Sequence, residues 1–397
     1  MRRIEAIDGL RGWLLISMVL SHLVFPDAIW MISLHFRNVM FTESAQGFVF
    51  VSGMVFGIVL LKRLQRRGYE AITQQAQHRI AELWRYSVLL VLGLYAMRFA
   101  LPDGDVLFRS WTGEAPIWDL WRLFGVLTLA YQPTFADILP MYIVFMLFAA
   151  PAVRAVSQGR QMQVIVTSAT IWIAAQFGVW GWIQAPFNWI FEASDGQGLR
   201  MAFNPMGWQL LFMMGLVIGV MLAQQRFDLK AMAPGRAGRL ALLAALVLLV
   251  LFPLRWLTAR GLLPEGAWPF YRVMENRGAL GPIFIISFAA VGYLFAWIVA
   301  CGPRSGSRIL RATSAGIAAV LAWRPAVMMG QHSLHTYVWH VPLVYMAFYF
   351  GKQLGDPSQG MMTLLALAVF ALLPLPAWWR SRTMETRSAP KPVVVKK

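Results

Sequence analysis

The hydrophobic positions of the chain fall into long apolar runs that are separated by shorter polar and charged stretches. Ten of these runs approach the roughly 20 residues that an α-helix needs to cross a bilayer. They cover about residues 8–26, 46–61, 84–101, 138–153, 164–183, 207–223, 240–257, 280–300, 327–349 and 359–379. A further apolar stretch at 118–131 is brief, so we expect an interfacial or re-entrant helix there. The pattern therefore predicts an all-α polytopic membrane protein with about ten transmembrane helices.

Composition supports the membrane assignment and argues against several other classes of protein. Of the 397 residues, 58% are hydrophobic and only 13% are charged, too few charges to cover the surface of a soluble protein of this length. Cys301 is the only cysteine, which excludes a disulfide framework and a thiolate metal cage. The sequence contains no internal repeat, no dinucleotide-binding glycine fingerprint and no phosphate-loop signature.

The net charge of +17 follows the predicted topology. If both termini lie inside, most Lys and Arg fall in the inner segments 62–85, 226–239 and 304–324 and in the tail, whereas most acids fall outside. The charge therefore indicates orientation, not a nucleic-acid partner, and the basic inner surface could attract acidic lipid or an anionic cytosolic ligand. We predict a membrane domain over 1–383 and a basic cytoplasmic tail over 384–397.

The first predicted helix carries three ionisable residues. Asp8, Arg11 and His22 point the same way on an ideal helix, because each residue turns about 100°. Asp8 and Arg11 interrupt the start of the apolar run and no small-residue cleavage site follows His22, so we interpret the run as a retained helix and not a signal peptide. Ionisable groups within a membrane usually face a cavity or each other. The alternative is an Asp8–Arg11 ion pair that fixes the helix end, with His22 as a hydrogen-bonded interface residue.

A second predicted helix, at 328–348, repeats this feature. Ser333, Tyr337 and His340 are spaced i, i+4 and i+7 and therefore share one face. Taken alone, His340 could simply donate a structural hydrogen bond to another helix. Two helices with histidines at similar predicted depth favour a shared polar chamber. Neither helix offers the histidine and carboxylate spacing of a metal site, so we expect no metal.

Three motifs in register carry a resemblance to a known superfamily. They are DGLRG with an arginine followed by a histidine eleven residues later (Asp8–Gly12, Arg11 and His22), FVFVSG (Phe48–Gly53) and SLHTYVWHVP (Ser333–Pro342). In order and spacing the sequence resembles the membrane acyltransferase family 3 superfamily, which moves acyl groups onto sugars. One superfamily motif, R-x-x-R-I-x-P, is incomplete here, because QHRIAELWRY keeps Arg79 and Ile80 but lacks the partner arginine and the proline.

Two further stretches narrow the resemblance. DILPMY (Asp137–Tyr142) and FNPMGWQLLFMMG (Phe203–Gly215) are similar to the OpgC-type branch, which succinylates osmoregulated periplasmic glucans. The resemblance implies a multi-pass O-acyltransferase of the bacterial cytoplasmic (inner) membrane. It would move an acyl group, succinyl in this branch, from cytosolic acyl-CoA to hydroxyls of a periplasmic glucan. Its partners would then be the bilayer, acyl-CoA and the glucan, with no bound cofactor.

The resemblance also suggests roles for individual residues. His22 would act as general base, with an acyl-His22 intermediate as an alternative, and Tyr337, His340 or Ser52 would stabilise the oxyanion. Donor-binding candidates are Asp8, Arg11, Arg79, Arg85 and Arg324, although each arginine could be an ordinary anchor at the inner surface. Acceptor-binding candidates are Asp137, Asn204, Trp208 and Glu43. A dicarboxylic acyl group would need one more cation, for which the candidates are Arg37, Arg98 and Arg122.

Two other classes of function compete with acyl transfer. One is a glycan or lipid transporter or flippase in which the histidines relay protons, but no inverted repeat supports it. The other is a membrane structural or sensor protein without turnover, which leaves the register of Arg11 and His22 unexplained. The oligomeric state is open.

Overall fold

The structure is a computed structural model that describes residues 5–23, 40–195, 202–226, 236–355 and 357–388. Within these ranges it is built from α-helices, with two short 3₁₀ turns and no strand, as the hydrophobic pattern predicts. The helices are α1 (Glu5–His22), α2 (Ser44–Ala100), α3 (Gly104–Thr112), α4 (Leu120–Leu127), α5 (Ile138–Ser157), α6 (Gln161–Gln176), α7 (Val179–Asp195), α8 (Pro205–Ala223), α9 (Arg236–Ala259), α10 (Trp268–Met274), α11 (Pro282–Cys301), α12 (Arg308–Leu321), α13 (Arg324–Gln331), α14 (Ser333–Gln353), α15 (Gln359–Leu372) and α16 (Leu375–Ser388).

By length and composition, six helices in the described ranges could cross a membrane, or up to eight if each of two bent pairs is one span. The chain is thus a multi-span membrane-type protein, while the count of ten and the inside-to-outside orientation stay predictions. Part of the difference arises in α2, which joins the predicted spans 46–61 and 84–101 across a kink at Gly68, where φ is +78°. The helices α1 and α14 are not among the six.

Two predicted spans are interrupted in the structure. The span 164–183 divides into α6 and α7, which bend by 62° at Phe177 and Gly178. Gly178 has a φ of +77°, a left-handed conformation that glycine adopts without a steric penalty. The span 327–349 begins inside α13 and is broken at His332, whose φ of −111° and ψ of 33° are not helical. Hydrophobic periodicity alone did not reveal either break.

The described chain forms two compact units. The terminal unit comprises Met1–Ile29 and Gly316–Lys397, and the central unit comprises Trp30–Ala315. The last helix, α16, runs to Ser388, so the predicted tail at 384–397 begins inside a helix, and its residues 389–397 lie outside the described ranges.

In the terminal unit, α1 packs against α13 with almost no side chain between the two backbones. A Cβ atom added to Gly12 would lie 1.9 Å from the carbonyl oxygen of Ala326, and one added to Gly330 would lie 1.7 Å from the oxygen of Asp8. A Cβ atom added to Gly9 would lie 1.8 Å from the carbonyl oxygen of Leu321, the last residue of α12. The glycines of the DGLRG motif therefore allow this close approach, which fixes the depth and rotation of Arg11.

The central unit uses the same device between α2 and α8. Added Cβ atoms on Gly53 and Gly57 would lie 2.1 Å and 2.6 Å from the carbonyl oxygens of Phe212 and Leu216. Likewise, Cβ atoms added to Gly215 and Gly219 would lie 2.0 Å and 2.1 Å from the carbonyl oxygens of Phe50 and Met54. The Gly53-x₃-Gly57 spacing is typical of close packing between helices, and these contacts agree with it.

The brief apolar stretch at 118–131 lies alongside the second half of α2. The rings of Trp118 and Phe99 are 4.7 Å apart, whereas the carbonyl oxygen of Leu127 accepts a hydrogen bond from the Trp84 indole, at 2.9 Å. Along a helix, Phe99 and Trp84 are roughly 22 Å apart. The chain then returns, because the Tyr131 hydroxyl donates to the Thr112 oxygen, which Tyr95 on α2 also reaches. The stretch thus follows part of α2 and then returns, and its interfacial or re-entrant placement stays a prediction.

Candidate active site

The terminal unit places the arginine of the DGLRG motif on the helix that carries the SLHTYVWHVP motif. Nη2 of Arg11 donates to Oγ of Ser333 at a distance of 2.5 Å. Ser333 is the first residue of α14 and is buried. The contact joins two motifs that are 322 residues apart in the chain, and it orients one edge of the guanidinium group.

Further along the same two helices, two histidines meet. Nδ1 of His22 lies 3.2 Å from Nε2 of His340, and the rings are nearly parallel, at 28°, with centroids 5.3 Å apart. His22 is the last residue of α1, whereas His340 lies in the third turn of α14 with only 1% of its surface exposed. The other ring nitrogen of His340, Nδ1, bonds the backbone carbonyl of Tyr337. The Tyr337 ring packs against His340 at 4.8 Å.

These contacts show how α1 and α14 are arranged. Arg11 pairs with Ser333 and His22 pairs with His340, so residue numbers increase together and the two helices run in the same direction. This arrangement fits the predicted topology, in which both helices begin on the inner side. It also fits the predicted faces, since Arg11 and His22 both meet α14.

The remaining donor-binding candidates are less enclosed. Arg79 forms an ion pair with Glu82 at 2.5 Å, one turn away on α2, and Arg85 is exposed. Arg324 is exposed at the first position of α13, and Asp8 is partly buried where its backbone meets Gly330. Asp8, Arg11 and Arg324 belong to the terminal unit, whereas Arg79 and Arg85 belong to the central unit. Ser52, proposed for the oxyanion, is partly buried on α2 of the central unit.

The four acceptor-binding candidates converge in the central unit around one residue that sequence reasoning missed. Nε of Arg277 donates to both carboxylate oxygens of Glu43, at 2.7 Å and 3.0 Å. The side chain of Glu43 is 9% exposed and that of Arg277 is 38% exposed. The guanidinium carbon of Arg277 lies 5.3 Å from the centroid of the Phe203 ring. Among the described residues, Glu43 bonds Arg277 only through Nε, so this pair does not use the two Nη groups.

Asn204 and Trp208 hold the backbone that presents Arg277. The Asn204 side chain caps α8 by accepting from the Met206 N–H, and its own backbone N–H donates to the Gly278 oxygen. The Trp208 indole N–H donates to the same Gly278 oxygen at 3.1 Å. A Cβ on Gly207 would lie 2.2 Å from the Ala279 oxygen. The FNPMGW segment therefore holds the turn at 276–281 through these hydrogen bonds and the close backbone approach at Gly207.

Asp137 lies buried at the N-terminus of α5 in the same cluster. Its Oδ2 accepts from the backbone N–H of Ala202 at 3.0 Å. Burial raises the pKa of the Asp137 carboxyl to about 6, against the opposing effects of the backbone hydrogen bonds and of the Arg277 charge. The cluster thus contains a fixed ion pair and a carboxyl group that is half protonated near pH 6. No sequence signal joins Glu43 to Arg277, because they are 234 residues apart and in different predicted loops.

The cations suggested for a dicarboxylic acyl group have other contacts. Arg98 is buried and bonded to Asp105, to the Thr112 hydroxyl and to the backbone oxygens of Gly113 and Glu114, so it organises the loop after α2. Arg122 is buried with its guanidinium 3.3 Å from the centroid of the Tyr131 ring. Arg37 lies outside the described residues.

Comparison with known proteins gives one family. The family described as OpgC protein matches residues 2–385. No curated protein and no solved structure matches the chain. Because the match covers nearly the whole sequence, the chain belongs to the OpgC protein family.

Proposed function

We propose that this protein is an O-acyltransferase of the bacterial cytoplasmic membrane that moves a succinyl group from cytosolic succinyl-CoA to hydroxyls of a periplasmic glucan. Membership of the OpgC family supports a glucan-modifying acyltransferase, and the apolar helices support a multi-pass membrane protein. Family membership does not identify the acyl group, the donor or the direction of transfer, and these three points belong to our proposal.

One observation carries the chemistry, namely the contact between His22 and His340 on helices that also bring Arg11 to Ser333. An imidazole is the side chain best suited to accept and return a proton near neutral pH. A guanidinium group held on the same helix pair, roughly 16 Å from His22 along the axis, suits phosphate groups of a nucleotide donor. A proton carrier and a phosphate ligand on one rigid pair of helices favour transfer from an anionic thioester.

In the proposed reaction, His22 takes the proton of a glucan hydroxyl while the hydroxyl oxygen attacks the thioester carbon. The new C–O bond forms, and the carbonyl oxygen becomes an oxyanion. Tyr337 is its proposed donor in the terminal unit, because both ring nitrogens of His340 already have partners. The C–S bond then breaks, and the coenzyme thiolate takes the proton back from His22. Direct transfer of this kind needs no covalent intermediate.

On the donor side, we assign Arg11 the leading role, supported by Asp8 and Arg324 in the same unit. Arg11 is partly buried and oriented by Ser333. The exposed Arg324 would contribute charge without a fixed geometry.

On the acceptor side, we propose that the glucan binds at Glu43, Asp137, Asn204 and Trp208, with Arg277 as an additional contact. The charges of Glu43 and Arg277 neutralise each other, so this surface suits a neutral ligand that is rich in hydroxyl groups. The Nη groups of Arg277 can donate to sugar oxygens, and carboxylate oxygens can accept from sugar hydroxyls. Once the succinyl group has been transferred, its carboxylate could accept hydrogen bonds from the same Nη groups of Arg277.

The test is mass spectrometry of glucans from cells that lack this chain and from cells that re-express either the native form or His22→Ala. We expect the acyl substituents to disappear on deletion and to return only with the native form, at a mass increment that identifies the acyl group. His78→Ala, an exposed histidine on α2, is the matched control and should restore them. Unchanged substituents in the deletion would overturn the proposal, whereas a glucan that fails to reach the periplasm would favour transport.

A further inference from the structure

The hydrogen bonds of His340 determine which of its ring nitrogens carries a proton. Its Nδ1 bonds the backbone oxygen of Tyr337, and its Nε2 bonds Nδ1 of His22. A carbonyl oxygen can only accept, so Nδ1 of His340 must be the donor in the first bond. In a neutral imidazole the other nitrogen then has a lone pair and accepts. His340 therefore accepts at Nε2, and His22 must donate from Nδ1.

The reverse arrangement requires a charge in an unfavourable place. His22 could accept at Nδ1 only if His340 were protonated on both nitrogens. His340 is 1% exposed, and its two recorded hydrogen bonds go to an imidazole and a carbonyl, with no carboxylate among its partners in the described chain. A buried cation without an acidic partner is strongly disfavoured. The neutral arrangement of His340 is therefore the favoured one.

We propose that His340 is a positioning residue that holds His22 in the tautomer protonated at Nδ1, which makes Nε2 of His22 the nitrogen that takes the acceptor proton. This inference rests on the proposed function, in which His22 is the general base. It assigns His340 a different role from that of an oxyanion donor, since both of its nitrogens are engaged. It also explains why two histidines lie together where one base would suffice.

The same contact helps His22 when it carries the proton. On accepting the hydroxyl proton at Nε2, His22 becomes an imidazolium ion that still donates from Nδ1 to His340. The lone pair of His340 then faces a full positive charge, and hydrogen bonds to charged groups are stronger than neutral ones. The proton on Nε2 returns to the departing thiolate, so His340 ends each cycle unchanged.

Nitrogen NMR of the whole chain, labelled with ¹⁵N in histidine only and held in lipid nanodiscs, tests the tautomer directly. The chain has 6 histidines, and the signals that vanish in His22→Gln identify those of His22. We expect His22 to carry its proton on Nδ1 in the native form and to populate both tautomers in His340→Phe. A native His22 protonated at Nε2, or an identical tautomer in His340→Phe, would overturn the inference.

Kinetics of acyl transfer provide the second test. The amide oxygen of His340→Gln can accept from Nδ1 of His22 where the Nε2 of His340 stood, whereas the ring of His340→Phe cannot. We expect kcat to fall by about 100-fold or more in His340→Phe and by less than about 10-fold in His340→Gln, with KM unchanged in both. His335→Phe, on another face of α14, is the control and should keep native kcat. Equal losses in the Phe and Gln variants would contradict the inference.

The two tests also separate this inference from the proposed function. The NMR result does not depend on turnover. A native tautomer at Nδ1 in a protein that transfers no acyl group would refute only the function. Acyl transfer by a protein whose His22 is protonated at Nε2 would refute only the inference.

Discussion

The terminal and central units hold their polar groups in two different ways. In the terminal unit, His340 bonds an imidazole and a backbone carbonyl, and neither of these two partners carries a permanent charge. In the central unit, Glu43 and Arg277 are a permanently charged pair that binds through Nε. A group that moves protons needs an adjustable charge, whereas a group that orients a ligand benefits from a fixed one. The difference therefore agrees with chemistry in one unit and ligand binding in the other.

Removing one partner from each pair should have unequal effects on stability. Arg277→Met leaves the Glu43 carboxylate nearly buried without its cation, and we expect the free energy of unfolding to fall by about 3 kcal/mol, the low end for buried pairs because Arg277 is partly exposed. His340→Phe removes a hydrogen bond between uncharged rings and should cost about 1–2 kcal/mol. Unfolding in mixed detergent micelles measures both.

The exposed Arg272→Met on α10 is the control for this pair of variants and should change stability by less than about 0.5 kcal/mol. Equal losses for Arg277→Met and His340→Phe would remove the distinction between a charged and an uncharged pair.

The pH dependence of stability at Asp137 tests the electrostatics of the central unit. The pKa of its carboxyl rises from 3.8 to about 6 on folding, so the folded protein holds the proton more tightly than the unfolded chain does. The stabilisation is complete below pH 4 and is lost as the pH rises through 6. Asp137→Asn should therefore be more stable than the native protein by about 2–3 kcal/mol at pH 8 and no more stable at pH 4.

Unfolding of both forms across this pH range is the measurement. A constant difference between Asp137→Asn and the native form would show that the carboxyl does not titrate between pH 4 and 8.

The glycine contacts test a feature that both units share. Gly12→Ala forces a methyl group against the Ala326 oxygen, and Gly53→Ala forces one against the Phe212 oxygen. Each should destabilise its unit by about 2 kcal/mol, since overpacked helices must separate. Gly93→Ala meets no atom within 4 Å and should stabilise α2 by about 0.5–1 kcal/mol.

Activity separates the two glycine variants further. Gly12→Ala shifts α1, which carries His22, and should lower acyl transfer more than Gly53→Ala does at equal loss of stability. Equal activities would mean that the position of α1 is not critical to the reaction.

Sequence reasoning predicted the parts of the site that depend on local geometry. Helical spacing placed Arg11 and His22 on one face and Ser333 and His340 on another, and the structure joins these faces. Sequence reasoning did not predict the backbone conformations of individual residues. The break at His332 and the kink at Gly68 depend on backbone angles that an apolar pattern does not encode.

Arg277 was missed for a different reason. Its partner Glu43 is distant in sequence, and its position depends on the turn at 276–281 that Asn204 and Trp208 hold. From a single sequence, an arginine in a short loop cannot be distinguished from an ordinary surface charge. Only the packing of α8 against that turn gives it a fixed place.

The smallest expected effect is the response of the two pairs to salt, measured as coupling free energies in double-mutant cycles. Cycles of Glu43→Gln with Arg277→Met and of His22→Ala with His340→Phe isolate each pairwise interaction from the many other charges of the chain. Salt at 1 M shortens the screening length to about 3 Å, and the partly exposed Arg277 is accessible to it. The Glu43–Arg277 coupling should then fall by about 0.5 kcal/mol, whereas the His22–His340 coupling should not change. A histidine coupling that falls by the same amount would mean that one of the two rings is charged, and would contradict an uncharged pair.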